Sequence, residues 1–158
     1  LGVAAANKTG GGATQTDKEK ARAIASVVSQ AAQKSGRALA NSLILWVDDA
    51  PSRNFWERKS LEAFGVRFAF TKSVKDALEK LQAGKYDAVI FSLGRTTDQQ
   101  AAFVLLEEQK RLGDNNPLIL YGSMTPQQWA EARRRGVAAH ATNPLDLFQT
   151  AGNVIKGV

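Results

Sequence analysis

Leu43-Ile44-Leu45-Trp46-Val47-Asp48-Asp49 is an apolar run that ends abruptly in two carboxylates. A run this short and this uniformly apolar reads as a strand buried on both faces, the kind found in parallel sheets. Four more follow at regular intervals: Val66-Arg67-Phe68-Ala69-Phe70, Ala88-Val89-Ile90-Phe91, Leu118-Ile119-Leu120-Tyr121 and Ala138-Ala139-His140-Ala141. Helical patterns separate them. Pro51 sits well in a first helical turn, and Phe55, Trp56, Leu61 and Phe64 then line a helix that Gly65 ends. Ser73 caps a helix carrying Val74, Ala77, Leu78 and Leu81, closed by Gly84. A third helix runs over about 99–112, Thr125-Pro126 opens a fourth that Gly136 closes, and the last covers 145–156.

Strands alternating with helices make an α/β chain with a doubly wound parallel sheet. Because crossovers are right-handed, the expected arrangement is a flavodoxin-like (βα)5 fold with strand order 2-1-3-4-5. Ligands in such folds gather at the carboxyl ends of the strands. That edge would hold Asp48 and Asp49 after strand one, Ser92 after strand three, Gly122 and Ser123 after strand four, and Thr142 and Asn143 after strand five.

The order and spacing of these landmarks carry a resemblance. The run ending in Asp48-Asp49, Lys85-Tyr86-Asp87-Ala88-Val89-Ile90-Phe91-Ser92, Pro117-Leu118-Ile119-Leu120-Tyr121-Gly122-Ser123 and Gly136-Val137-Ala138-Ala139-His140-Ala141-Thr142-Asn143-Pro144 together resemble the receiver domain of bacterial response regulators. The resemblance implies that Asp48 and Asp49 match the acidic pair that helps hold magnesium. It also implies that Ser92 stands where the family's phosphoacceptor aspartate belongs. Gly122 takes the place of a hydroxyl residue that senses the phosphoryl group, with Ser123 beside it. Asn143 replaces the lysine that pairs with phosphate, and His140 occupies the aromatic switch position; Thr142 keeps a family-like place.

These changes have chemical consequences. A serine hydroxyl is neutral near pH 7 and needs a base to accept a phosphoryl group. Asn143 can donate a hydrogen bond but carries no charge. Magnesium prefers oxygen ligands in octahedral array, and Ser92 would leave only two carboxylates, so weak magnesium at most is expected at Asp48 and Asp49, strengthened by Ser92→Asp. The alternative is that the pair accepts hydrogen bonds from the loops and the first helix. The expected function is a non-enzymatic pseudo-receiver acting as a regulatory or protein-interaction module. Two other readings stand beside it. One is an atypical phosphoacceptor using Ser92 or the displaced acid Asp98. The other is a small-ligand sensor built from Asp48, Asp49, Ser92, Ser123 and Asn143.

The 158 residues suffice for one domain with a full core. With no cysteine and only His140, disulfides, thiolate metal sites and two-histidine sites are excluded. No stretch approaches the length of a membrane span. The net charge of +6 is concentrated at the start, where residues 1–42 contribute +4. Its scattered lysines read as a solvated arm, and Arg133-Arg134-Arg135 as cations complementing a helix C-terminus, so nucleic acid is not an expected partner.

Residues 1–15, centred on Gly10-Gly11-Gly12, read as a flexible linker. Thr16-Asp17-Lys18-Glu19 has capping-box spacing ahead of a helix over about 17–35, with Ile24, Val27 and Val28 as its large apolar residues. The division is therefore 1–42 as linker plus helix and 43–158 as the receiver-like domain. A helix with so narrow a stripe is expected to be a stalk or loosely docked, and a chain beginning at Asn41 to melt within a few degrees of the whole. Because it opens on Leu1, the chain is expected to be an excised or processed piece. A cytoplasmic setting is expected, with any membrane tether lying upstream. Partners would be proteins or other domains of a longer chain. A homodimer could form through the face made by the fourth helix, fifth strand and fifth helix of the repeat.

Overall fold

A computed structural model of the chain describes residues 15–31, 39–94 and 98–155. Helix α1 (Gln15–Ala31) comes first, then β1 (Leu43–Val47). A 3-10 turn (Pro51–Asn54) leads directly into α2 (Phe55–Glu62). The rest alternates: β2 (Arg67–Thr71), α3 (Val74–Ala83), β3 (Ala88–Ser92), α4 (Asp98–Leu112), β4 (Leu118–Tyr121), α5 (Pro126–Arg135), β5 (Ala139–Ala141) and α6 (Pro144–Ile155). All strand pairings are parallel, in the order β2-β1-β3-β4-β5. This is the winding expected from the sequence.

The period of two along each strand divides the core into two layers. Ile44, Trp46, Ile90, Ile119 and Tyr121 point to the layer covered by α2 and α6. Leu45, Val47, Val89, Phe91, Leu118 and Leu120 point to the layer covered by α3, α4 and α5. Both faces of the central strands β1, β3 and β4 are buried, which is why these runs carry no polar alternation. β2 is an edge strand, and its Arg67 is exposed.

The helix boundaries follow local chemistry. Ser73 accepts from the Asp76 amide, as its position before α3 requires. Thr125 and Gln128 complete a reciprocal capping box at α5, and Gly136 ends that helix at φ +112°, a left-handed conformation suited to glycine. In the last turn of α5, Arg134 and Arg135 both pair with Glu131, and Arg135 lies 4.5 Å from the centroid of the Phe103 ring. Two of the three arginines of the basic run are thus engaged within the protein.

In the N-terminal region, helix α1 stands where a helix over about 17–35 is expected. Of the expected linker over 1–15, residues 1–14 lie outside the described residues and Gln15 opens α1; residues 32–35 of the expected helix also lie outside them. Helix α1 does not trail away: it packs on α2 and α6 and buries Ile24. Leu39 is fully buried in the α2/α6 layer, so the core begins upstream of residue 43. The stripe counted only apolar side chains, whereas docking also uses a polar contact, described below. Among the described residues, no helix is long and apolar enough to cross a membrane.

Candidate functional site

Strand register brings the chemically interesting positions together. Val47 pairs with Phe91, Ser92 with Tyr121, and Tyr121 with Ala141, so the residues that follow line a single carboxyl edge. Asp48 leaves β1 with its amide bonded to the Thr71 carbonyl and is buried. Its Oδ1 accepts from the Ala50 amide at 2.8 Å and from Arg53 Nη2 at 3.1 Å. Its Oδ2 accepts from Asn54 Nδ2 at 2.5 Å. A buried carboxylate is tolerable only when so supplied with donors.

Arg53 reaches further. The same Nη2 lies 3.2 Å from Asp49 Oδ1, so one guanidinium bridges both acids of the pair. The hydrogen bond to Asp48 is the main reason the Arg53 pKa is raised above its ordinary value, with desolvation opposing it and the charges of Asp48, Asp49 and Asp98 adding to it. The 3-10 turn opened by Pro51 fixes this geometry by placing Arg53 four residues beyond Asp49. Gly94 completes the seat: a β-carbon there would fall on the Arg53 guanidinium. Two like charges side by side repel, and here the chain itself supplies the cation between them.

Ser92 is equally occupied. Its Oγ accepts from the Trp46 indole N–H at 2.8 Å and from Asn54 Nδ2 at 3.2 Å, and the residue is buried. Asn54 therefore bridges Asp48 and Ser92. Asp98, the alternative acceptor, is buried at the start of α4, and its Oδ2 accepts from the Gly94 amide at 2.8 Å.

The remaining family positions carry different duties. Gly122 has φ +145°, and a β-carbon there would lie 2.8 Å from both Leu93 Cβ and the Leu93 carbonyl oxygen. His140 Nε2 is 2.7 Å from the Gly122 carbonyl. A carbonyl only accepts, so Nε2 carries the proton. The imidazole also packs on Trp129, with ring centroids 5.6 Å apart. Asn143 Oδ1 accepts from the Asp146 amide at 2.9 Å, and Asp146 Oδ2 accepts from the Thr142 amide at 3.2 Å. Asn143 thereby caps α6, and Asp146 ties the first turn back to Thr142. Ser123 is exposed beside Gly122.

Four residues at or near this edge escaped the sequence reading. Arg53 and Asn54 stand five and six residues beyond Asp48, and their spacing from the acidic pair on a Pro-initiated turn was the available signal. Glu57 and Lys20 gave none. Glu57 Oε2 accepts from the Tyr121 hydroxyl at 2.7 Å and pairs with Lys20 Nζ at 2.9 Å. Burial, and then the hydrogen bond to Glu57, push the Tyr121 phenol well above its ordinary pKa. A cavity of about 650 Å³ lies between α1 and this edge, with Lys20, Arg53, Glu57, Ser92 and Asn143 among its walls.

Neither a protein-family model nor a curated protein sequence matches the chain. Solved structures do. A CheY chemotaxis protein of Vibrio cholerae superposes with a TM-score of 0.60 at 19% identity, over 73% of this chain and 99% of that one. The receiver domain of a sensor histidine kinase from Pseudomonas aeruginosa, solved with magnesium coordinated in its active-site cleft, gives 0.59 at 20%, covering 74% and 99%. A receiver domain of a Francisella response regulator gives 0.64 at 19%, covering 74% and 98%. A cobalamin-binding protein of Desulfitobacterium hafniense matches at 0.61 and 17%, with 73% of this chain spanning only 59% of its length. At these identities the likeness is one of fold: the chain has the five-stranded, doubly wound architecture of CheY-like receiver domains.

Proposed function

We propose that this chain is a non-catalytic pseudo-receiver, a signalling or interaction module that uses the receiver architecture without aspartyl phosphorylation. The observation that carries the reading is Arg53. Its guanidinium bonds to both Asp48 and Asp49, the acids that the resemblance assigns to magnesium. The donor set does not suit that metal. Magnesium needs free oxygen ligands in octahedral array, whereas both Asp48 oxygens already accept protein hydrogen bonds. Ser92 offers neither a charge nor a free hydroxyl for acceptance. Asn143 is engaged as the cap of α6.

On this reading the site is a set of satisfied structural bonds, and function lies in surfaces. Partners would be proteins or further domains in a cytoplasmic setting, with nucleic acid not among them. Pairing of two copies would use the face of α5, β5 and α6.

Calorimetric titration with magnesium tests the proposal. The unaltered chain is expected to give no saturable heat, and Arg53→Ala combined with Ser92→Asp to create measurable binding. Tight magnesium binding by the unaltered chain, abolished in Asp49→Ala, would overturn it.

A further inference from the structure

Helix α1 is joined to the altered site by a continuous chain of contacts. Lys20 Nζ lies 2.9 Å from Glu57 Oε2, and the same oxygen accepts from the Tyr121 hydroxyl. The Tyr121 ring meets Trp46 edge-on at 6.2 Å, and the Trp46 indole donates to Ser92. The chain of contacts therefore ends at the position where the receiver fold carries its phosphoacceptor. The same helix supplies Thr16, Glu19, Lys20 and Ala23 to one wall of the cavity above Ser92.

The anchor of α1 has an unusual make-up. Glu57 is only 3% exposed, and its Oε1 is buried without a hydrogen-bond partner. Such a carboxylate needs a cation, and Lys20 provides it from outside the receiver-like body. Among the α1 side chains described, Ile24 is the buried large apolar one. Lys20 is half-buried while Glu57 is buried, and in such a pair the cost of desolvating the carboxylate offsets much of the Coulomb gain. Release would readmit water to the underserved Glu57 carboxylate. Release therefore exchanges a partly satisfied ion pair for a hydrated carboxylate, the kind of two-state element that a signal can bias.

We propose that α1 is a releasable latch, held on the α2/α6 face by the Lys20–Glu57 pair, and that its undocking opens the cavity above Ser92 as this protein's conformational switch. The latch rests on the pseudo-receiver reading only in standing where phosphorylation would otherwise act.

Hydrogen exchange on the full chain, read by mass spectrometry, tests the latch independently of any phosphorylation assay. Amides of 15–31 should exchange at least about ten-fold faster than those of 88–92 and 118–121, by local opening. Lys20→Ala should accelerate exchange in 15–31 by a further factor of about ten while leaving both strands unchanged. Glu57→Gln should act in the same direction, and Lys20→Glu with Glu57→Lys should recover protection. The latch is overturned if α1 exchanges only together with the strands. It is also overturned if Lys20→Ala leaves 15–31 unchanged, or if the variants deprotect the whole sheet.

Discussion

At Gly122 the backbone has been reshaped around the lack of a side chain. Its φ of +145° and the approach of Leu93 leave no room for a β-carbon. Placing a hydroxyl residue there by Gly122→Thr should therefore destabilise the fold by about 2–4 kcal/mol, from strain and overpacking together. Urea denaturation measures this, and a neutral result would show that the strand end can relax. Ser92→Asp is a related case. The sequence alone predicts that a third carboxylate strengthens magnesium binding, but Arg53 still bridges the other two. Ser92→Asp alone is expected to bind magnesium poorly in calorimetry, and to gain affinity only when Arg53→Ala is added. Tyr121 offers a pH test. Its phenol is held protonated in the folded state above its ordinary pKa of 10.0. Above that pH the native protein retains a proton that the unfolded chain gives up, so stability falls as pH rises. Denaturation at successive pH values should show wild type losing stability relative to Tyr121→Phe above about pH 10. A difference independent of pH would contradict this account of Glu57 and Tyr121.

Among the elements, the sheet was the most legible in the sequence. The three central strands are uninterrupted apolar runs that can be buried only between two helical layers, and the caps at Ser73, Thr125 and Gly136 mark helix ends by chemistry that acts locally. The acidic pair and its position opposite Ser92 followed from strand order. Other features depended on distant contacts. The sequence places Asn143 by its mismatch with a lysine, while its work is to cap α6 through the Asp146 amide. Asn143→Lys should accordingly cost about 1 kcal/mol by loss of the cap without conferring phosphate chemistry. Chemical denaturation checks the first part. Helix α1 was least legible, because a count of apolar residues cannot reveal a lysine that meets a buried glutamate 37 positions later.

For the molecule as a whole, the core extends beyond the receiver-like repeat. Leu39 is fully buried, and α1 covers part of the α2/α6 layer. A chain beginning at Asn41 loses Leu39 and leaves Glu57 without its cation. The few-degree effect expected from composition gives way to a larger one. Losing a buried leucine costs roughly 2–5 kcal/mol, at about 2–4 °C per kcal/mol for a chain of this size. A fall in Tm of roughly 10 °C by calorimetry is expected, and an unchanged Tm would show that neither Leu39 nor the docked α1 adds to the stability of the core. The proposed absence of aspartyl phosphorylation at the carboxyl edge is open to a direct test. Intact-mass spectrometry of the full chain after incubation with acetyl phosphate and magnesium should show no added phosphate. A stoichiometric phosphoryl adduct that disappears in Ser92→Ala would contradict the account.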